Sequence, residues 1–497
     1  MLKGFTRKFR PLEFLSEDEI EDIHRATLTV LRQTGVTFDS DWALDLLKKN
    51  GCQVDMQTKR VRFPEALVEE CIRSSPSSIF LKARDPKYDV VLGGNTVYFI
   101  QAAGMQTIDI ETLQPRPATR KEFADYVRLL DGLPNLHWLN SYPFYGFAGS
   151  PPVMAMVESV ALKLKHSGKH MTEGHARDSE LFTDRMVRLC GAEITGGAGC
   201  QAPLSWSEDS ILRVRRSVEA GFPMGFSDGN AYGATAPATV AGSVVICSAE
   251  LLSMVVLIQV LSPGHRMRVG HYAFPQDMRS GFPAFCDIGC SISNVVFNQV
   301  WRRYRIPVSN GSPGYPSSKS IDFQSAYEKA MAALLSALSG GSTIILHGGV
   351  NGELTAHGVQ AVLDDDIAGM IGRVLEGATV DDEQLAVDLI DEVGPVPGHF
   401  LNKAHTRKWW KTMQYLPMAA DRLPYPEWLK TGKKTARDYA KAKMQEIVAT
   451  HKPEPLTADQ ERGIEEVLRE ARDHYRKAGL ISDAEWSDYM RAIESPE

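Results

Sequence analysis

A (β/α)8 barrel of the TIM type, with an N-terminal α+β extension and a C-terminal helical extension, is the α/β fold that this chain predicts. Two observations carry that expectation. From Ala118 to about Gly377, helical stretches alternate with short apolar strands in about seven or eight units, the rhythm of a parallel sheet wrapped by helices. The strands also end in polar or aromatic residues, which is how a barrel presents chemistry at its C-terminal face. The runner-up, a doubly wound open sheet, lacks its Gly-rich dinucleotide fingerprint after the first strand. The expected organisation is an extension over 1–120, the barrel over 121–377 and a helical extension over 378–497.

Composition sets the outer bounds. The 497 residues are 43% hydrophobic and 24% charged, enough for a large core. A formal charge of -7 argues weakly against nucleic acid or an anionic membrane as partner. No apolar run is expected to be long enough to span a bilayer, and MLKGFTRKFRPLEF at the N-terminus shows no uninterrupted apolar region of a signal peptide. The 7 scattered cysteines fit reduced cytoplasmic thiols better than a disulfide framework.

Within the extension, Ser16 and Glu19 form a capping-box pattern that opens a helix to about Thr34, stopped by Gly35. A second helix over 41–50 stops at Gly51. Short strands over 58–63 and 78–82 flank a helix that Pro64 starts, and strands over 97–101 and 106–110 complete the segment. None of this is βα-periodic.

The barrel units then follow in turn. Helix 121–131 precedes the strand that ends in Asn140-Ser141-Tyr142, helix 153–165 precedes 170–174, and helix 179–190 precedes a glycine-rich strand. Helix 208–220 precedes 223–226, ending in Ser227-Asp228, and helix 239–261, apolar on all sides, precedes 267–270 and His271-Tyr272. Helix 291–303 precedes 307–310, and helix 325–338 precedes the β-branched run Ser342 to Leu346. That run ends in His347-Gly348-Gly349, where missing side chains let a ligand or a backbone come close. Strand-end candidates are therefore Asn140, Tyr142, Glu173, Asp228, His271, Asn310 and His347. Past Gly377 come an acidic helix, an aromatic and basic stretch, and a charged helical tail suited to packing or oligomer contact.

Several local patterns have a plain reading. Asp364-Asp365-Asp366 suits a helix start, favoured by the macrodipole, better than a metal site. Lys163, Lys165 and Lys169, with His166 and His170, suit a solvated helix end. Cys286 and Cys290 in CDIGC lack the spacing of a structural zinc pair, so no metal is expected. The strand-end aromatics, among them Tyr98, Phe99, Tyr142, Phe226, Tyr272 and Tyr315, offer more. Core packing explains any one of them, but as a set they could wall a pocket for a quaternary ammonium cation through their ring quadrupoles.

Three runs, GATAPATVAGSVVICSAELLSMVVLIQVLSPG (233–264), KSIDFQSAYEKAMAALLSALSGGSTIILHGG (319–349) and LDDDIAGMI (363–371), resemble the trimethylamine methyltransferase superfamily, in its branch lacking pyrrolysine. LRQTGV, RVRFPEALVEECIRSSPSSIFLKARDP and PYPEWLKTGKK extend the similarity over nearly the whole chain. The resemblance implies a barrel enzyme that moves a methyl group from a methylated amine to cob(I)alamin (a corrinoid cofactor) on a separate corrinoid protein. A homo-oligomer is expected. In trimethylamine-specific members pyrrolysine follows the strand that corresponds to 342–347; here the equivalent position falls within Gly348 to Val350. That implies quaternary amines of the glycine betaine, proline betaine or carnitine kind.

A quaternary nitrogen already carries its charge and leaves as a neutral amine, so the site needs no proton donor. It must hold the cation, aim one methyl at the mouth and exclude water. The residues expected to do so are His347 and Asn351 for catalysis, and Tyr98, Phe99, Gln101, Tyr142, Asp228 and Tyr272 around the substrate. Gly348 and Gly349 would leave room for the flat corrinoid. Rival readings are a betaine-sensing barrel without turnover, and a lyase or aldolase using Lys319 as an amine nucleophile.

Overall fold

In the computed structural model, which describes residues 4–174 and 176–494, eight parallel strands close into a barrel. They are β1 Thr96–Gln101, β2 Trp138–Leu139, β3 His170–Thr172, β4 Ile194–Gly199, β5 Met224–Ser227, β6 Met267–His271, β7 Val308–Asn310 and β8 Thr343–His347. The helices that follow them are α1 Arg120–Gly132, α2 Ala155–His166, α3 Glu180–Leu189, α4 Glu208–Glu219, α5 Val240–Leu261, α6 Ile288–Tyr304, α7 Phe323–Ser339 and α8 Gly358–Leu375. Closure is direct, with Thr343 of β8 opposite Tyr98 of β1 and Ile345 opposite Ile100.

The barrel therefore begins at Thr96 and not at Lys121. Its first strand lies inside the stretch that the sequence assigns to the extension. Two short strands, Gln106–Ile108 and Pro115–Arg116, separate β1 from α1 and hide the βα rhythm.

Alternation sorts the side chains of each strand. On β5 and β6, Met224, Phe226, Met267 and Val269 face the core shared with α5, and Gly225, Ser227, Arg268 and Gly270 take the inward positions. Register carries the pattern sideways: Gly197, Gly225 and Arg268 are neighbours at one level, and Gly199, Ser227 and Gly270 at the next. Glycine at four of these six positions leaves the barrel hollow on this side. Elsewhere Tyr98, Ile100, Trp138 and Ile345 fill the interior, together with the hairpin Ile79–Leu81 and Val90–Leu92 at the N-terminal end.

The extensions dress the outside. Ser16 and Glu19 make the expected capping box at the start of helix Glu17–Thr29. That helix and Glu65–Ser74 pack on α5. Helix α5, 22 residues long, is by length and composition apolar enough to cross a membrane, contrary to the sequence reading. Its apolar residues have a partner on each side, barrel and extension, and 78% of its most apolar window is buried. At the other end of the chain, helix Ala436–Thr450 covers α1 and α8, and Ala458–Lys477 covers α2 and α3. Before them, residues 382–430 form four short helices without a buried residue, and Val396 and Leu401 stand 93% and 87% exposed.

Candidate active site

The hollow side opens at the C-terminal mouth as a cavity of about 310 Å³. Gly197, Gly225 and Arg268 line its deeper part. Around its mouth stand Tyr142 after β2, Tyr272 after β6, Tyr315 after β7 and Glu353 after β8.

These four residues form one wall. The Tyr272 hydroxyl donates to Glu353 Oε2 at 3.2 Å. Its ring meets Tyr315 edge-on at 5.4 Å and stacks on Phe285 at 6.4 Å. Tyr142 pairs edge-on with Tyr145 at 5.3 Å. Burial lifts the Glu353 carboxyl above its usual range, and the Tyr272 hydrogen bond pulls it part of the way back. Burial, then the Glu353 charge, pushes Tyr142 up to about 12 and Tyr272 well above an ordinary phenol. A carboxylate held among tyrosine rings attracts a cation both by charge and by ring quadrupole.

Deeper in, the Arg268 guanidinium lies across Gly225, where a Cβ would stand 3.2 Å from it, and over the Trp138 ring at 4.8 Å. Burial lowers its pKa to about 10, which still leaves it charged at neutral pH. Lys163 is fully buried behind the wall, and its Nζ donates to Asn140 O and Ser141 O at 2.9 Å and to Thr172 O at 2.8 Å. It thereby ties the ends of β2 and β3 together beneath Tyr142. Burial pushes this amine down to about 7, while three carbonyl acceptors match the three protons of its charged form.

Of the residues singled out from sequence, Tyr142, Tyr272 and Tyr315 stand on the cavity wall, and the strand-end candidates Asn140, Glu173 and His271 line the cavity too. The structure puts the remaining substrate, catalytic and corrinoid candidates elsewhere. Tyr98 fills the closed end of the barrel beside Ile79, Leu92 and Trp138, and Phe99 faces outward against α7 and α8. Gln101 is buried and turned to backbone: its Nε2 donates to Tyr142 O at 2.9 Å and its Oε1 accepts from Asn140 N at 3.0 Å. Asp228 sits behind the wall, paired with His271 Nδ1 at 2.7 Å and accepting the Tyr272 backbone N–H at 2.6 Å. It reaches the site through His271 and Tyr272, which it holds in place. A bulge between Ile345 and His347 turns His347 outward to Asp365, 3.3 Å away. Asn351 holds a left-handed turn at φ 55°. Gly348, at φ 98°, is packed on the Tyr126 hydroxyl, and Gly349 on the Gly314 carbonyl, so neither leaves open ground for a macrocycle.

Other expectations change as well. Asp364, Asp365 and Asp366 lie in the middle of α8, which His357 caps at Gly358. Each is engaged: Asp364 with Lys329 at 2.7 Å, Asp365 with Asn135 N at 2.9 Å, Asp366 with Met418 N at 2.7 Å. Lys163 and Lys169 are buried rather than solvated, because both amines turn inward to backbone carbonyls, Lys163 to the strand ends above and Lys169 to Leu130 O at 2.8 Å and Leu133 O at 2.9 Å. Lys319 is exposed, donating to Ser317 O at 2.6 Å, and does not line the cavity. Cys286 donates to Ser312 O at 3.0 Å. Asp228, Cys247 and His271 do gather their ligand atoms within 4.8 Å of one another, but Asp228 already holds His271 and Cys247 accepts from Asn230 at 3.4 Å.

Glu353 and Arg268, which line the cavity, and Lys163, which braces the strand ends behind it, have no place in the site expected from sequence. Two had a visible signal: an arginine inside the buried strand MRVGH, and a glutamate closing the glycine-rich loop GGVNGE.

Comparison with known proteins points the same way. The family described as trimethylamine methyltransferase (MTTB) matches residues 1–475. A glycine betaine methyltransferase of Desulfitobacterium hafniense is 28% identical over 89% of this chain and 93% of that protein. The trimethylamine methyltransferase MttB of the same species is 29% identical over 93% of this chain and 94% of that one. Among solved structures, the monomethylamine methyltransferase MtmB of Methanosarcina barkeri has a TM-score of 0.53 at 11% identity, covering 93% of this chain and 88% of that chain. That likeness concerns the fold. With a closed barrel, a hollow at its C-terminal mouth and a family match along almost its whole length, this chain belongs to the trimethylamine methyltransferase (MTTB) family and is a methyltransferase.

Proposed function

We propose that the protein takes a methyl group from a quaternary amine of the betaine kind and passes it to cob(I)alamin carried by a corrinoid protein. The observation that carries this reading is the Glu353 carboxylate set among Tyr142, Tyr272 and Tyr315 on one cavity wall. A relative named for glycine betaine, matched over 93% of its length, supports it.

The wall suits a cation that cannot donate a hydrogen bond. Tyrosine faces stabilise the ammonium without needing one, and Glu353 adds a charge that burial strengthens. The departing amine is neutral, so none of these side chains has to deliver a proton. Their work is to orient the cation with one methyl toward the mouth and to keep water away from it. The corrinoid supplies the cobalt nucleophile that accepts the methyl group. Its approach is supported by an apolar rim on the mouth loops: Met105 is 40% exposed, Leu354 55%, Met278 68% and Phe282 72%. This rim replaces Gly348 and Gly349 as the expected landing ground. Free thiols at all seven cysteines suit the cytoplasm, and the uncovered apolar side chains of 382–430 suit a homo-oligomer.

The test is demethylation of a panel: glycine betaine, proline betaine, carnitine, γ-butyrobetaine, choline and trimethylamine, each with reduced free cobalamin. Mass spectrometry follows the tertiary amine formed. One or more carboxylated quaternary amines should lose a methyl, and trimethylamine should not. Demethylation of trimethylamine alone would overturn the reading. So would tight betaine binding without methyl loss when the cognate corrinoid protein is present, which is the behaviour of a sensor.

A further inference from the structure

We infer that Arg268 forms an anion subsite in the deep part of the cavity, which takes the carboxylate of a zwitterionic donor and leaves its ammonium toward the mouth. This rests on the donor reading above and names the residue that reads the donor's other end.

Arg268 is 8% exposed and lines the cavity. Its guanidinium makes no hydrogen bond or ion pair with any described residue, and its Nε is a buried donor without a partner. The hydroxyl of Thr172, which lines the same cavity from β3, is also buried without a partner. Buried charges in proteins are normally paired, because taking an ion out of water is costly. A cation left open toward a cavity that also holds an unsatisfied hydroxyl is therefore a site completed by an anion. The planar fork of a guanidinium matches a carboxylate in particular.

The backbone is arranged to leave this cation open. Gly197 and Gly225 occupy the inward positions beside Arg268 at its own level, and the level above is Gly199, Ser227 and Gly270. The Trp138 ring lies under the guanidinium and contributes a face that favours a cation but accepts no strong hydrogen bond. Charge is also ordered along the cavity. Burial first, and with it the charges of Arg268 and Lys163, lowers the pKa of the neighbouring His170 to about 4, whereas Glu353 holds the opposite sign at the mouth. A molecule carrying an anion at one end and a cation at the other fits that ordering in one direction only.

Three ligands separate the two ends: glycine betaine, choline, and 3,3-dimethylbutyrate, the carboxylate in which carbon replaces the ammonium nitrogen. Each is titrated calorimetrically into wild type, Arg268→Met and Arg268→Gln. Glycine betaine affinity should fall about 100-fold in Arg268→Met, the scale of a lost charge-assisted pair. Choline affinity should stay within about threefold, because choline has nothing for Arg268 to hold. 3,3-Dimethylbutyrate should bind wild type measurably and bind neither variant.

The fold supplies an independent readout. Without ligand, Arg268→Met should melt at or above the wild-type temperature, because an uncompensated buried charge is gone. A merely structural arginine would lower it. If Arg268→Met does not fold, Arg268→Gln carries the same expectations for binding. Wild-type affinity for glycine betaine in the folded variants overturns the subsite, whatever is found for turnover. Conversely, Arg268-dependent binding of 3,3-dimethylbutyrate with no binding of any quaternary amine keeps the subsite and overturns the donor reading.

Discussion

The loop after β8 and the inward face of β4 to β6 are both rich in glycine, yet their glycines do different work. In GGVNG, Gly348 sits at φ 98° with Tyr126 closed down on it, and Gly349 meets the Gly314 carbonyl. The room their missing side chains make is taken by neighbours. On β4 to β6, Gly197, Gly199, Gly225 and Gly270 all line the cavity; a Cβ on Gly199 would meet nothing and one on Gly225 the Arg268 guanidinium, whereas Gly197 lies against the Glu173 carbonyl and Gly270 against Ser227. A glycine in a left-handed turn reports what the backbone needs there. Gly199 and Gly225, in ordinary strand geometry and facing the cavity, report a space kept for something else.

The sharpest test of that contrast makes the same substitution on both sides. Gly348→Ala forces an alanine into the left-handed region and drives its methyl into the Tyr126 hydroxyl. Denaturant titration should show a loss of about 2–4 kcal/mol. Gly225→Ala lies in ordinary strand geometry and meets only the Arg268 guanidinium, at 3.2 Å. Its stability should change by less than about 1 kcal/mol, while KM for the donor rises about tenfold as Arg268 is displaced. If Gly225→Ala unfolds the protein and Gly348→Ala merely slows it, the two regions have been assigned the wrong way round.

A smaller effect tests the mouth. Glu353→Gln keeps the shape of the wall and removes its charge, so kcat/KM should fall about 10–100-fold. The pH dependence gives the sign. Burial raises the Glu353 pKa above the ordinary carboxylate value, so the charged form that attracts the donor is present above that raised pKa. Donor affinity should therefore fall as pH drops through it, from a higher pH than an exposed glutamate would show. The acid limb should be missing from Glu353→Gln. A limb that persists would belong to another group.

Much of this was legible in the sequence. The βα alternation gave the barrel class, and SEDE gave a capped first helix, because both are local signals that the final fold leaves intact. Long-range packing set what was lost. Strand β1 reads as a strand in the sequence but falls within the extension, because two short strands separate it from α1 and hide the barrel rhythm. Tyr98, Phe99 and His347 were placed by proximity to strand ends, but direction is fixed by alternation and, for His347, by a bulge that no local pattern announces. The acidic triplet of α8 looked like a cap because its partners, Lys329, Asn135 and the backbone of Met418, are far away in the chain. The aromatic wall was partly visible through Tyr142, Tyr272 and Tyr315. The two charges that give it polarity, Glu353 and Arg268, become meaningful only once the strands are in register.

The finest discrimination concerns Tyr272, which serves that wall twice. Its ring is one of the faces offered to a cation, and its hydroxyl donates to Glu353 at 3.2 Å. Tyr272→Phe removes only the second role, since the ring remains wedged between Phe285 and Tyr315. The hydrogen bond favours the charged carboxylate, so its loss moves the Glu353 pKa further up, in the direction burial already drives it. At high pH, where Glu353 is ionised in both proteins, kcat/KM should drop only about three- to tenfold, the scale of one hydrogen bond to a charged group. Toward lower pH the gap should widen, because the variant loses its carboxylate charge first. A constant ratio across pH would mean that the hydroxyl serves the substrate directly, and a ratio of one at every pH would leave the tyrosine as packing. Only a ratio that grows as the solution is acidified ties the tyrosine and the glutamate into one cation-holding unit.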